Sequence, residues 1–212
     1  MIAKPYKRIP KRTIMRLGAL MLAVLVVALV LLLGHAYASQ ISSYLWTTRL
    51  AAAFGSAPAQ FKLGLRYDLG LDVPKDETEA AAWFRKAAEK GLATAQFKLG
   101  TMYELGQGVP KNEVQAITWF HKAAEQDDDR AQTRLGLRYA YGRGVPKDAA
   151  QAVRWWTKAA VQGNTTAQYL LGVSYFTGRG VARNHQIGCD MLRESSQQGY
   201  APAATAYNRY CQ

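Results

Sequence analysis

The chain has 212 residues, with 27 Lys and Arg, 15 Asp and Glu, three His and two Cys, and 49% of it is hydrophobic. That composition suits a folded chain and excludes wholesale disorder; two Cys and three His exclude a disulfide-dense scaffold and leave too few ligands for a Cys/His metal centre, so neither metal nor cofactor is expected. The net charge of +12 is unevenly spread: Lys4, Lys7, Arg8, Lys11, Arg12 and Arg16 precede the first acidic residue, and the remainder holds 21 basic against 15 acidic residues, too dilute a surplus for a nucleic-acid interface.

Residues 1–16 form a basic N-terminus. Residues 17–36 are predicted to be a transmembrane helix, because every residue from Leu17 to Leu33 is apolar or Gly. At about 1.5 Å rise per residue the run reaches the short end of a membrane span. All six early cations lie before it, so the positive-inside rule places the N-terminus in the cytoplasm and everything beyond Gly34 across the membrane, which in a bacterial envelope is the periplasm. Tyr37, Tyr44 and Trp46 then suit the far interface. The alternative is a signal peptide cleaved after Ala38, at the A-x-A site Ala36-Tyr37-Ala38, which releases a soluble periplasmic or secreted protein. The apolar run exceeds the usual h-region of about 7–15 residues, so a retained anchor is the expectation.

Beyond the anchor the chain repeats itself. Gly64, Gly100, Gly136 and Gly172 are spaced by 36 residues, as are Tyr67, Tyr103, Tyr139 and Tyr175, and Val73, Val109, Val145 and Val181. Trp83, Trp119 and Trp155 recur with Met191 in the fourth place, and Ala87-Ala88, Ala123-Ala124 and Ala159-Ala160 with Ser195-Ser196 last. The units are 57–92, 93–128, 129–164 and 165–200. A linker and unpaired second helix at 37–56 and an unpaired first helix at 201–212 cap the array, as stacked repeats require.

Each unit reads as helix, turn, helix, with no stretch alternating like a strand. The first helix carries A-Q-x-x-L-G-x-x-Y, whose Gly permits close helix approach. A Gly-rich loop follows, then Asp76, Asn112, Asp148 or Asn184 as N-cap of the second helix. Glu79, Gln115 and Gln151, three residues on, predict capping boxes. Trp and the Ala pair mark the buried stripe of the second helix. Gly91, Gly163 and Gly199 end it, with Asp127 substituting in the second unit.

The motif A-Q-x-x-L-G-x-x-Y-x-x-G-x-G-V-P-K-D, then A-x-x-W-x-x-K-A-A, runs almost unbroken from Ala131 to Ala160. It resembles the Sel-1-like repeat family, a relative of the tetratricopeptide repeats. The first unit departs at Asp72, the fourth at Ala182 and Met191. The resemblance implies an all-α, right-handed α-solenoid whose first helices line a concave face. It also implies scaffold or adaptor roles, often in bacterial envelopes or signalling complexes.

Catalytic signatures are scarce. There is no G-x-S-x-G or S-x-x-K, and the Gly-rich loops lack the strand and Lys-Ser/Thr of a phosphate loop. His121 and His185 read as surface polar residues, and Asp127-Asp128-Asp129 as a solvated turn. On a helical wheel, the positions of Lys62, Leu65, Arg66 and Leu69 and their equivalents face away from the buried stripe. Stacking turns Lys62, Arg66, Lys98, Arg134 and Arg138 into a basic ladder, with Leu137 and Tyr141 adding apolar contact. Such a groove suits an acidic, partly apolar protein or peptide, although a merely solvated face reads the same way. Cys189 and Cys211 fall on helices that stack as neighbours in an oxidising compartment, so a disulfide is expected; two buried free thiols are the alternative. The function expected is a non-enzymatic envelope scaffold. Its alternatives are a cell-wall-acting hydrolase and an anionic-polysaccharide-binding module.

Overall fold

The computed structural model describes residues 46–212, so the basic N-terminus and the predicted membrane segment lie outside the described residues. No helix among the described residues is long and apolar enough to cross a membrane. Residues 48–212 form one unit. Behind the end of a helix at 48–53 come α1 (Ala57–Leu69), α2 (Glu77–Glu89), α3 (Ala93–Leu105), α4 (Glu113–Ala124), α5 (Asp129–Tyr141), α6 (Ala149–Val161), α7 (Thr165–Thr177), α8 (His185–Gln197) and α9 (Ala201–Tyr210). Each helix packs on its neighbours in sequence, and the described residues contain no strand. The result is an all-helical solenoid of four helix pairs with a half-repeat at each end.

The caps explain where the helices stop and start. Gly70, Gly106, Gly142 and Gly178 end the first helices in the left-handed region, with φ between 68° and 74°. The side chains of Asp76, Asn112, Asp148 and Asn184 accept from backbone N–H groups two or three residues on, satisfying donors that a helix start leaves without partners. The expected capping boxes form only by half. The N–H of each N-cap residue donates to the carbonyl of the repeating Tyr at 2.9–3.0 Å, closing the loop, so the Glu or Gln side chain has no donor to reach back to.

Within a repeat the two helices touch through a glycine. A Cβ on Gly136 would stand 2.2 Å from the Trp156 indole nitrogen, and one on Gly100 would stand 2.8 Å from the Phe120 ring. The buried positions Phe84, Phe120, Trp156 and Leu192 fill these contacts. Their column is not legible as a repeat in the sequence, because it changes residue type from Phe to Trp to Leu while the Trp column beside it recurs. That column works between repeats: Trp83 packs on Ala52, Ala59 and Leu63, and Trp119 on Ala87, Ala88 and Leu99. The loops also join repeats. A Cβ at Gly108 would overlap the carbonyl of Glu77 in the preceding repeat, at 1.9 Å. Asp72 occupies the corresponding place in the first loop and keeps the left-handed backbone at φ 58°.

A second inter-repeat device is polar. Gln60, Gln96 and Gln132 are buried and donate through Nε2 to the carbonyls of Ala52, Ala88 and Ala124 at 3.1–3.2 Å. The Oε1 atoms of Gln96, Gln132 and Gln168 in turn accept from Gln126, Gln162 and Gln198, each 30 residues on. In the first repeat Lys90 stands where the second glutamine belongs, and Gln60 Oε1 is buried with no hydrogen-bond partner among the described residues. At the C-terminal end, Cys189 of α8 is bonded to Cys211 behind α9, with Cα atoms 5.7 Å apart, inside the span a disulfide bridges without moving the backbone.

The interrupted glutamine ladder gives a direct test. Lys90→Gln is expected to raise unfolding stability by about 1 kcal/mol by supplying the missing donor. The urea midpoint should rise with an unchanged slope; a midpoint that stays or falls would remove the ladder from the list of stabilising interactions.

Candidate partner-binding face

The first helices α1, α3, α5 and α7 present four columns of equivalent positions, and the structure treats them differently. Lys62 and Arg134 are exposed; Lys98 is half-buried and pairs with Asp68 at 2.8 Å. The column of Leu65, Thr101, Leu137 and Val173 is half-buried throughout. Leu69, Leu105 and Tyr141 are 61%, 59% and 60% exposed, so α1, α3 and α5 each end on a large apolar side chain open to solvent, whereas α7 ends on Thr177.

The remaining column requires a correction. Arg66, Met102, Arg138 and Ser174 were expected to face away from the core, yet Arg138 is only 4% exposed and Met102 and Ser174 are buried. Met102 packs with Ala80, Ala81 and Phe84 of the preceding repeat. A helical wheel describes one helix alone, whereas stacking turns this flank of each first helix onto the repeat before it. Arg138 lies there between Glu104, at 2.6 Å, and Glu113, at 3.7 Å. Arg66 pairs with Asp72 of its own loop. Arg134 also reaches Glu104, at 3.4 Å.

The expected basic ladder is therefore largely neutralised from within. Lys98 pairs with Asp68, and Arg134 with Glu104, across the same 30-residue offset as the glutamine ladder. These acids were missed because the offset acquires meaning only once the stacking register is known. Around Glu104 the pairing leaves a hollow of about 80 Å³, lined by Arg134, Leu137, Arg138, Tyr141 and Arg143. Arg143 lies 5.5 Å from the Tyr141 ring centre, within reach of a cation–π contact.

Of the two described histidines, His121 is a packing residue rather than the surface residue expected, whereas His185 is on the surface as expected. His121 is half-buried, edge-on to Trp155 at 5.6 Å and to Tyr139 at 6.2 Å. Burial pushes its pKa below the ordinary value, with Glu125 opposing the shift. His185, exposed overall, meets Phe176 at 4.8 Å and lies 3.1 Å from the Tyr210 carbonyl. Asp127 ends its turn at φ 61° and Asp128 caps α5, which accounts for the acidic triplet as a helix junction. Among the described residues no three His, Cys, Asp or Glu converge as metal ligands.

The two arginines of α5 should separate cleanly on mutation. Arg138→Ala leaves Glu104 without its close partner and is expected to cost about 3 kcal/mol of stability. Arg134→Ala, at an exposed pair, is expected to cost less than about 1 kcal/mol. Chemical denaturation measures both, and losses of equal size would contradict the burial assigned to Arg138.

Comparison with known proteins follows the same period. A family model, the Sel1 repeat, matches residues 57–92, 93–128, 129–164 and 165–200 in succession. Among solved structures, the chain is similar to c5321, a protective antigen of uropathogenic Escherichia coli with an SLR fold, at 39% identity and a TM-score of 0.73 over 75% of this chain and 34% of that one. It is similar to a Sel1 repeat protein from Oxalobacter formigenes at 37% identity and a TM-score of 0.70, over 74% of this chain and 64% of that one. Cysteine-rich protein B of Helicobacter pylori, at 22% identity and a TM-score of 0.50 over 62% of this chain and 95% of that one, shares the fold. The chain thus spans less than two-thirds of the length of the first two. No curated protein matches it. Four consecutive matches over residues 57–200, in register with the glycine contacts and loops described above, show that the chain belongs to the Sel1 repeat family.

Proposed function

We propose that this protein is a non-enzymatic scaffold of the bacterial cell envelope, held by its N-terminal helix in the inner membrane, with the repeat array gripping a protein or peptide in the periplasm. Sel1-repeat proteins are generally protein–protein interaction scaffolds. The observation that carries the reading is the column Leu69, Leu105 and Tyr141, three side chains about 60% exposed at equivalent places on successive first helices. Isolated apolar residues on a surface are ordinary, whereas an ordered row rimmed by charge marks an interaction surface.

The partner envisaged is acidic and partly apolar. Lys62, Lys98 and Arg134 flank the apolar column, with charge steering the encounter and apolar contact supplying hold. Arg66 and Arg138 support this face from inside, through Asp72 and through Glu104 and Glu113. The envelope location rests on the six early cations and the apolar run Leu17 to Leu33.

Two measurements test the proposal. Affinity purification from membranes, with mass spectrometry, should show partner capture by the native chain and its loss with Leu105→Ser plus Tyr141→Ser. Because both residues are exposed, the helical spectrum and melting temperature should barely move. Undiminished capture by the folded double variant would place the partner elsewhere. For the anchor, N-terminal sequencing of membrane-fractionated protein should begin near Met1; a start at Ser39 would establish cleavage instead.

A further inference from the structure

The junctions between repeats are filled by the chain itself, and the last one is filled differently. Between the second and third repeats, Trp155 packs on the buried face of α4 and α5. His121 meets its ring edge-on at 5.6 Å, and the Lys158 ammonium lies 4.7 Å from the ring centre. Between the first and second repeats, Trp119 holds the same place, the Lys122 ammonium lies 4.2 Å from its ring, and Arg85 donates to the Tyr103 hydroxyl at 2.6 Å. Thirty-six residues further on, all three positions change together. Trp becomes Met191, His or Arg becomes Thr157, and Lys becomes Glu194.

These smaller side chains leave a hollow of about 410 Å³ between α6 and α8, over Leu171 and Tyr175 of α7. Glu194 is the charged residue of its lining. Gln168 is drawn toward it, donating to Glu194 Oε2 at 3.2 Å where the other ladder glutamines donate to an Ala carbonyl. Val161, 83% exposed, and Ile187 extend the apolar surface at the rim.

We propose that this hollow receives an aromatic side chain of a partner polypeptide that carries a Lys or Arg beside it. The filled junctions supply the reasoning. There the floor of buried Leu and repeating Tyr takes an indole, and a cation covers the ring. Here the floor is kept, the indole is missing, and a carboxylate replaces the ammonium. The ring and the cation must therefore both come from the ligand, with the cation meeting Glu194. A buried aromatic anchor with a charge at the rim is the arrangement that concentrates binding energy at protein interfaces. The site lies between second helices, so it does not depend on the first-helix face.

The test uses the full chain in detergent micelles, labelled at methionine methyls, and two probes: N-acetyl-Trp-Lys-amide and N-acetyl-Trp-Glu-amide. The lysine probe is expected to shift the Met191 methyl by ring current, saturably, while the buried Met102 methyl stays still. The glutamate probe should bind about fivefold more weakly, the size of one exposed ion pair. Glu194→Lys should reverse that order. Met191→Trp with Thr157→His, which rebuilds the filled junction and removes the reporter methyl, should abolish binding of the lysine probe, followed by the line broadening of the probe's own indole resonances. Absence of any Met191 shift in the native chain, undiminished binding of the lysine probe by the rebuilt junction, or equal binding of the two probes by the native chain would overturn the proposal. Glu194→Lys decides the charge arm alone if the rebuilt junction does not fold.

Discussion

Each second helix carries two adjacent large side chains that serve different neighbours, and the rest of the solenoid depends on that division. Phe84, Phe120, Trp156 and Leu192 press on the glycine of their own repeat's first helix. The residue immediately before each of them, Trp83, Trp119, Trp155 or Met191, packs on the repeat before. Consecutive residues on a helix point in different directions, so one dipeptide can close the pair and stack it. The small residues follow from this. Gly64, Gly100 and Gly136 admit a ring where a Cβ would collide, Gly172 admits Leu192, and the Ala pairs receive the next Trp.

Polar contacts then fix the register that apolar packing leaves loose. A buried glutamine amide with unmet hydrogen bonds is costly, so each ladder Gln favours the spacing at which its donor and acceptor both find partners. The ion pairs Lys98–Asp68 and Arg134–Glu104 use the same spacing on the first-helix face. Those acids reduce the surplus of charge that the basic side chains alone would present. What distinguishes the face is its apolar column, with charge around it, rather than a continuous basic stripe.

Where the repeat departs from its own pattern, the departures are informative in proportion to their packing. Asp72 replaces a glycine and keeps the left-handed backbone while pairing with Arg66. Lys90 replaces a glutamine and interrupts a ladder. Thr157, Met191 and Glu194 alter one junction together and line a hollow of about 410 Å³ there. The C-terminal end, which has no further repeat to pack on, is held by the Cys189–Cys211 bond instead.

The sequence by itself determined the period, the helix boundaries and their caps, the terminal half-repeats, the family and the cysteine pair. All of these are local or strictly periodic, and a 36-residue recurrence of Gly, Tyr, Trp and Ala-Ala displays them openly. Stacking alone decided which face of each first helix is free, because a wheel drawn for one helix contains no neighbour; Arg138 looked outward and is buried against Glu104. It likewise gave the buried glutamines their partners and brought His121 onto Trp155. Such contacts join residues about 30 apart whose types carry no mutual signal until one repeat is laid on the next.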